Sequence, residues 1–188
     1  MKKNRDSEDD LSLPQLEMLR ADFKNLPEIA VPQGYSLRSY KDGDETAWCA
    51  IMEGNIGIGW TIEKCRERLI SDSRFDREGL FFVTFNSEPV GSACAWRKAI
   101  EEKRVGEVHM VAIHEAHRRK LLGYMLNVAV LHRLKETGFQ VAHLQTDDWR
   151  LAAIKCYLAV GFKPLNTHQS HAMRWDIIIE KLNIQDWG

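Results

Sequence analysis

No stretch of this chain is long and apolar enough to span a bilayer, and its start, MKKNRDSEDD, lacks the apolar run of a secretory leader. Cysteine is sparse: Cys49, Cys65, Cys94 and Cys156 lie far apart with no CxxC pair, and three of them fall in apolar periodic segments. That spacing excludes a disulfide scaffold and reads as reduced core thiols in a cytoplasmic protein. Charge of neither sign dominates. Twenty-six lysines and arginines face 27 acidic residues, so no global field draws the chain onto nucleic acid or anionic membrane. No GxSxG occurs, which removes the usual serine-nucleophile turn. The three glycines of GNIGIGW, residues 54–60, miss the GxGxxG spacing and follow a helical segment rather than a strand, so they read as a flexible connector.

What is present suits one globular domain: 188 residues, 44% hydrophobic, enough for a filled core. Residues 1–10 are polar and expected to be disordered. Leu16, Leu19, Phe23 and Leu26 then follow helical spacing, with Ser12 as a cap and Pro14 in the first turn, so an N-terminal helix is expected. YSLRSY suits a first strand. Residues 44–53 and a stripe beginning near Thr61 predict two helices. GLFFVTF and EPVGSACAWR predict a hairpin turning at Asn86 and Ser87, and VGEVHMVAI a third strand beside it. On that strand the alternation puts Glu107, His109, Val111 and Ile113 on one face. A long, largely buried helix is expected over residues 118–137, followed by the strand FQVAHLQT, a helix over residues 149–160 ending at Gly161, and the strand FKPL. Trp175, Ile178, Ile179 and Leu182 favour a C-terminal helix. Strand, helix, strand beside an antiparallel hairpin predicts a mixed α/β sheet with one parallel crossover pair and flanking helices.

The stretch EVHMVAIHEAHRRKLLG, residues 107–123, concentrates the chemistry. Arg118, Arg119 and Lys120 fall near the start of the long helix, where positive side chains oppose the helix dipole, so an anion is expected to join them. His114, Glu115 and His117 approach a zinc motif, but the spacing is HExH and does not put both histidines on one helix face. No metal is expected.

VAIHEAHRRKLLG, the long helix after it and DDWRLAAIKCYLAVGF together resemble the GCN5-related N-acetyltransferase (GNAT) superfamily over residues 34–165. The likeness rests on Ala112 and Ile113 ending the strand, on residues 118–123 as its phosphate loop, and on Tyr157 shortly before Gly161 and Phe162. It implies a GNAT-like domain over residues 34–188, with residues 1–33 as a polar tail and helical extension. It further implies acetyl-coenzyme A as co-substrate and no metal. Arg118, Arg119, Lys120, Leu121, Leu122, Gly123 and Tyr124 would hold the pyrophosphate, and Val111, Ala112 and Ile113 would pair with the pantetheine arm. The Val111 N–H would stabilise the oxyanion, Tyr157 would protonate the departing thiolate, and Glu107 would deprotonate the amine, with His109 as the other candidate base. Trp60 and His109 would border the acceptor pocket. Two positions depart from the family pattern: Leu121 replaces a loop glycine, and Arg150 stands where many members carry a cofactor-contacting Asn. A non-catalytic acyl-coenzyme A binding module is therefore the competing class beside an N-acetyltransferase of small amines. The oligomeric state, a homodimer included, stays open.

Overall fold

Asn86 and Ser87 both take left-handed backbone angles, φ 51° and 72°. That pair of angles lets a two-residue turn match the twist of its strands. β3 (Leu80–Phe85) and β4 (Glu88–Arg97) accordingly fold back antiparallel around it. This hairpin belongs to a seven-stranded sheet in the computed structural model, which describes residues 13–99 and 104–184. The segment expected to be disordered, residues 1–10, lies outside them.

The strand order is β2-β3-β4-β5-β6-β1-β7, with β1 (Leu16–Arg20), β2 (Tyr35–Ser39), β5 (Val105–Ile113), β6 (Val141–Thr146) and β7 (Lys163–Leu165). Only β5 and β6 pair in parallel, and α3 (Leu122–Glu136) connects them. One face of the sheet packs on α3, α4 (Leu151–Ala159) and α5 (His171–Leu182) through Leu122, Met125, Leu126, Val130, Leu131, Ile154, Tyr157, Trp175 and Ile178. Each fully buried aliphatic chain there contributes about 1.5–3 kcal/mol. The other face carries α1 (Glu45–Met52) and α2 (Ile62–Cys65), which continues into a π-helical turn, Arg66–Ile70. Trp48, Met52, Cys65 and Leu69 form that second core with Phe82, Cys94 and Trp96. The mixed sheet, its single parallel pair and the C-terminal helix agree with expectation.

The N-terminal helix does not. Leu16–Arg20 is a strand in the middle of the sheet, antiparallel to both β6 and β7. Leu16 and Met18 alternate inward and are fully buried, a two-residue period that the helical reading passed over. Two neighbouring strand edges offer this segment hydrogen bonds on both sides, which outweighs its helical composition. A division at residue 33 therefore runs through a single sheet.

Arg20 fastens the end of β1 to the end of α4. Its guanidinium donates to the carbonyls of Val160, Lys24 and Asp22. Gly161 turns beside it with φ 87°, and a Cβ there would run into that guanidinium. Gly161→Ala should therefore lower stability by about 1–3 kcal/mol, read as a fall in midpoint by denaturant unfolding. An unchanged midpoint would remove this turn from the fold's requirements.

Candidate active site

The strand that begins with Glu107 changes face partway. Ala112 pairs with Ser92 and His109 with Cys94, so two residues of β5, Met110 and Val111, stand against Ala93 alone. Met110 absorbs the extra residue with φ 53°, the geometry of a β-bulge. Before the bulge, Glu107 lies opposite Trp96 and His109 opposite Cys94, both members of the α1 and α2 core. After it, Val111 and Ile113 pack against the α3 core. The expected common face of Glu107, His109, Val111 and Ile113 is thus corrected: the bulge reverses the alternation and separates the two carboxylate and imidazole groups from the two aliphatic ones.

β5 and β6 also part company. Their parallel register covers Val105, Gly106 and Glu107 against Val141, Ala142 and His143, and stops there. Residues 108–113 have no strand partner on that side among the described residues. An unpaired strand edge has N–H and C=O groups to offer.

This edge leads to the start of α3. The helix begins at Leu122, later than expected, so Arg118, Arg119 and Lys120 precede its first turn rather than form it. The reason lies in the backbone: Arg119 and Leu121 both take left-handed angles, φ 61° and 60°, which a continuous helix forbids. No acidic residue and no side-chain cap occupies the first turn, where a helix leaves N–H groups without intrahelical partners. Arg118 donates to the Ile113 carbonyl and to the Asn55 side chain, and Lys120 to the Tyr35 hydroxyl at 3.1 Å. These partners are neutral, so the two charges are held in place without being compensated. Leu122 turns into the core, whereas Leu121 is 73% exposed. The leucine side chain does not insert into the helix packing; its backbone adopts the conformation that glycine takes most easily. A Cβ at Gly123 would meet nothing within 4 Å, leaving open space beside the helix start.

Arg150 sits at the start of α4, with its Nε on Asp147 at 2.9 Å, its Nη2 on the Asn55 carbonyl at 2.7 Å and its guanidinium over the Trp149 ring. Asn55 is therefore gripped by Arg118 and Arg150 together. The glycine-rich connector is tied rather than flexible: Glu53 also accepts from the amides of Gly59 and Trp60 at 3.0 Å each, which holds its carboxyl below the usual range. Trp60 packs edge-on to the buried Trp48, 5.0 Å between ring centroids. His117 donates to or accepts from Tyr35 at 2.9 Å.

Glu107 is half-buried and bonds His109 Nδ1 at 3.0 Å, and the His109 ring stacks on Trp96. Tyr157 lies on α4 against Phe162. Burial pushes its hydroxyl up to about 12, against the opposing charge of Arg150. No protein group bonds that hydroxyl among the described residues, so it is a protonated donor open to a ligand at neutral pH. Asn55, His143 and Glu17 are polar groups around this cleft that the sequence did not single out. Asn55 was hidden in the glycine-rich connector, and Glu17 in a segment read as helix.

A model of the acetyltransferase (GNAT) family matches residues 54–162, more than half of the chain. The chain belongs to this family. Among curated relatives, the mycothiol acetyltransferase of Nocardia farcinica is 33% identical over 78% of this chain and 51% of its own length. That of Thermomonospora curvata is 31% identical over 73% of this chain and 47% of its own. The chain thus spans about half the length of these relatives. A GCN5-related N-acetyltransferase structure from Sphaerobacter thermophilus superposes with a TM-score of 0.63 at 19% identity, covering 81% of this chain and 50% of that one. At that identity it supports the GNAT fold alone. Within the GNAT frame, the bulged strand, the helix start and the α4 tyrosine fall in the matched segment.

The backbone at the helix start separates folding from binding. Gly123→Ala should not lower thermal stability, because nothing meets the new Cβ and alanine suits a helix better than glycine, while a ligand that needs close backbone approach at this helix start should bind about tenfold or more weakly. Leu121→Val, a β-branched residue at positive φ, should lose about 1 kcal/mol or more, whereas Leu121→Gly should not. Calorimetric titration with coenzyme A and thermal melts check both. Equal coenzyme A binding by Gly123→Ala would rule out a need for close backbone approach at this position.

Proposed function

We propose that this protein is an N-acetyltransferase that moves an acetyl group from acetyl-coenzyme A to the primary amine of a small molecule. The observation that carries the reading is the freed edge of β5, which runs from Glu107 past the bulge to an uncapped, positively flanked helix start. A coenzyme is the kind of ligand that fits such a path: amides for an arm that pairs like a strand, then amides and cations for a pyrophosphate. Arg118, Lys120 and the amides of Leu122, Gly123 and Tyr124 hold the phosphates in this reading, with Arg119 beside them. Residues 111–113 receive the pantetheine arm. Arg150 contributes by holding the connector through Asn55 and by its charge near Tyr157.

Acetyl-coenzyme A supplies the activated thioester. Glu107 takes a proton from the acceptor ammonium, since only the neutral amine attacks. The amine nitrogen forms its bond to the acetyl carbon while the Val111 N–H, beside the bulge, stabilises the charge on the carbonyl oxygen. The carbon–sulfur bond then breaks, Tyr157 gives its proton to the sulfur, and the second proton lost by the amine nitrogen as it becomes an amide returns through water to the Tyr157 oxygen. Holding the two substrates side by side supplies much of the rate. His109 orients Glu107 through their 3.0 Å contact and lies with Trp96 on the acceptor side.

The curated relatives, named for mycothiol, support a small-molecule acceptor. Because the chain spans about half their length, what carries over is the class, a small amine, and not the particular molecule. Trp60 borders the acceptor side in this reading.

Thiol release from acetyl-coenzyme A across a panel of small primary amines tests the proposal. Tyr157→Phe should reduce kcat roughly a hundredfold and Glu107→Gln by at least as much, with coenzyme A affinity retained. Because Tyr157 is pushed up to about 12, its ionisation should impose no alkaline limb on kcat/KM below about pH 10. Tight coenzyme A binding with no thiol release on any amine would instead favour a non-catalytic binding module. Full turnover by Tyr157→Phe would remove that hydroxyl from the mechanism.

A further inference from the structure

Behind Glu107 the sheet carries a second imidazole. His143 on β6 stands opposite Glu107 in the parallel register and is 1% exposed. Its neighbours Ala142 and Leu144 point into the α3 core, so its own side chain lies on the face of Glu107. Its Nε2 is 2.6 Å from Glu17 Oε2, and its Nδ1 is 3.9 Å from Glu107 Oε2. Nδ1 is buried and has no hydrogen-bond partner.

The two nitrogens have distinct roles by elimination. Burial pushes the Glu17 carboxyl up, but hydrogen bonds from His143 and Thr167, with the charges of His143 and Lys98, bring it below its ordinary value. Glu17 is therefore ionised at neutral pH and can only accept, so a neutral His143 carries its proton on Nε2. That leaves the Nδ1 lone pair directed toward Glu107. A buried acceptor with no donor is costly unless a proton visits it. A shift of about 1 Å or one bridging water closes the remaining gap to Glu107.

We propose that His143 is the proton store of the reaction, receiving at Nδ1 the proton that Glu107 removes from the acceptor amine, while Glu17 holds the resulting imidazolium. The inference rests on Glu107 being the base. The amine N–H bond breaks and a Glu107 O–H bond forms. That O–H bond then breaks, the Nδ1–H bond forms, and Glu107 returns to carboxylate. After the products leave, the proton passes back through Glu107 to water in the cleft, so no tautomer has to be reset. Imidazolium between two carboxylates is a favourable buried arrangement, and each has a geometric reason to be there. The charged and titratable groups facing this pair are His109 on β5, Glu17 on β1, Lys98 after β4, whose Nζ is 4.0 Å from Glu17, and Arg74, whose charge reaches Glu107. Thr167 completes the Glu17 shell at 2.8 Å. His143 acts through Glu107 and is a positioning and relay residue; it does not touch substrate.

The relay predicts a pH profile that simple packing does not. With His143 present, turnover needs both Glu107 ionised and His143 neutral. In His143→Gln the acidic limb of kcat should move to lower pH, with kcat lower by about tenfold and KM for acetyl-coenzyme A unchanged. Glu17→Gln keeps an acceptor for Nε2 and removes only the charge. It should move the same limb to lower pH and lower kcat by severalfold, and it decides the matter should His143→Gln fail to fold. Ring 15N shifts of the free protein provide a readout independent of turnover: the neutral His143 should carry its proton on Nε2. An Nδ1–H tautomer, or an acidic limb unmoved in Glu17→Gln, would overturn the relay. Glu107→Gln run alongside separates the two readings, since full turnover in that variant defeats the base itself, whereas its loss with an unmoved limb in Glu17→Gln defeats only the relay.

Discussion

Everything in the cleft depends on where β5 and β6 stop exchanging hydrogen bonds. Their parallel ladder ends at Glu107 and His143, and three residues on the bulge at Met110 shifts the pairing with β4, which resumes at Ala112. A strand edge is left open only where something else can satisfy its backbone, because unpaired N–H and C=O groups away from water are expensive. A coenzyme arm that pairs like a strand meets that need. The same break leaves Glu107 fixed by pairing on both sides, while beyond it the edge that faces β6 is unpaired among the described residues. The proposed reaction asks for a rigid base and a free strand edge, and one interruption in the sheet suits both.

The helix start repeats this logic with charge in place of hydrogen bonds. Arg118 and Lys120 are oriented by neutral groups, a carbonyl, an amide and a hydroxyl, rather than by carboxylates. A carboxylate partner would hold them as firmly but would cancel the field that an anion needs. Leu121 and Arg119 occupy left-handed backbone angles that cost of order 1 kcal/mol each. The fold tolerates that strain because Leu122, one residue on, is buried in the α3 core and fixes the helix's first turn. A glycine at 121 makes this conformation easier, but a leucine whose side chain faces solvent reaches it too.

Much of this was legible from residue patterns, and the failures have a common cause. The Asn86–Ser87 hairpin, the buried α3, the α4 helix ending at Gly161 and the parallel crossover are local features, each written in a turn residue or a hydrophobic period, and each was found. Leu16–Arg20 was misread because LEMLR fits both a helical and an alternating pattern, and the choice is made by β6 and β7, more than a hundred residues away. The reversed face of Val111 escaped because a bulge is a property of two strands in register, and alternation along one strand cannot reveal it. The late start of α3 is hidden for a related reason: left-handed angles at Arg119 and Leu121 go against the residue types found there. At the site, Glu107, His109, Tyr157 and the basic loop were visible because they lie in one motif or its matched partner. His143 and Glu17 were not, since their meaning comes only from adjacency across β5, β6 and β1.

The misread strand turns out to be the one that lets the cleft open. From Leu144 onward β6 has no hydrogen-bonding partner in β5, and a strand held on neither side would collapse or fray. β1 covers this stretch, pairing Leu16 with Thr146, Glu17 with Gln145 and Met18 with Leu144, and its buried Leu16 and Met18 bind it to the α3 core. β6 can therefore diverge from β5 without losing its ladder, because the bonds given up on the cleft side are matched on the other. β1 itself is pinned at its far end by Arg20 to the turn after α4, the helix that carries Tyr157. One five-residue strand thus supports β6, steadies the helix that carries Tyr157 and places Glu17 beside His143, which couples the geometry of the proposed reaction centre to residues far from its motif.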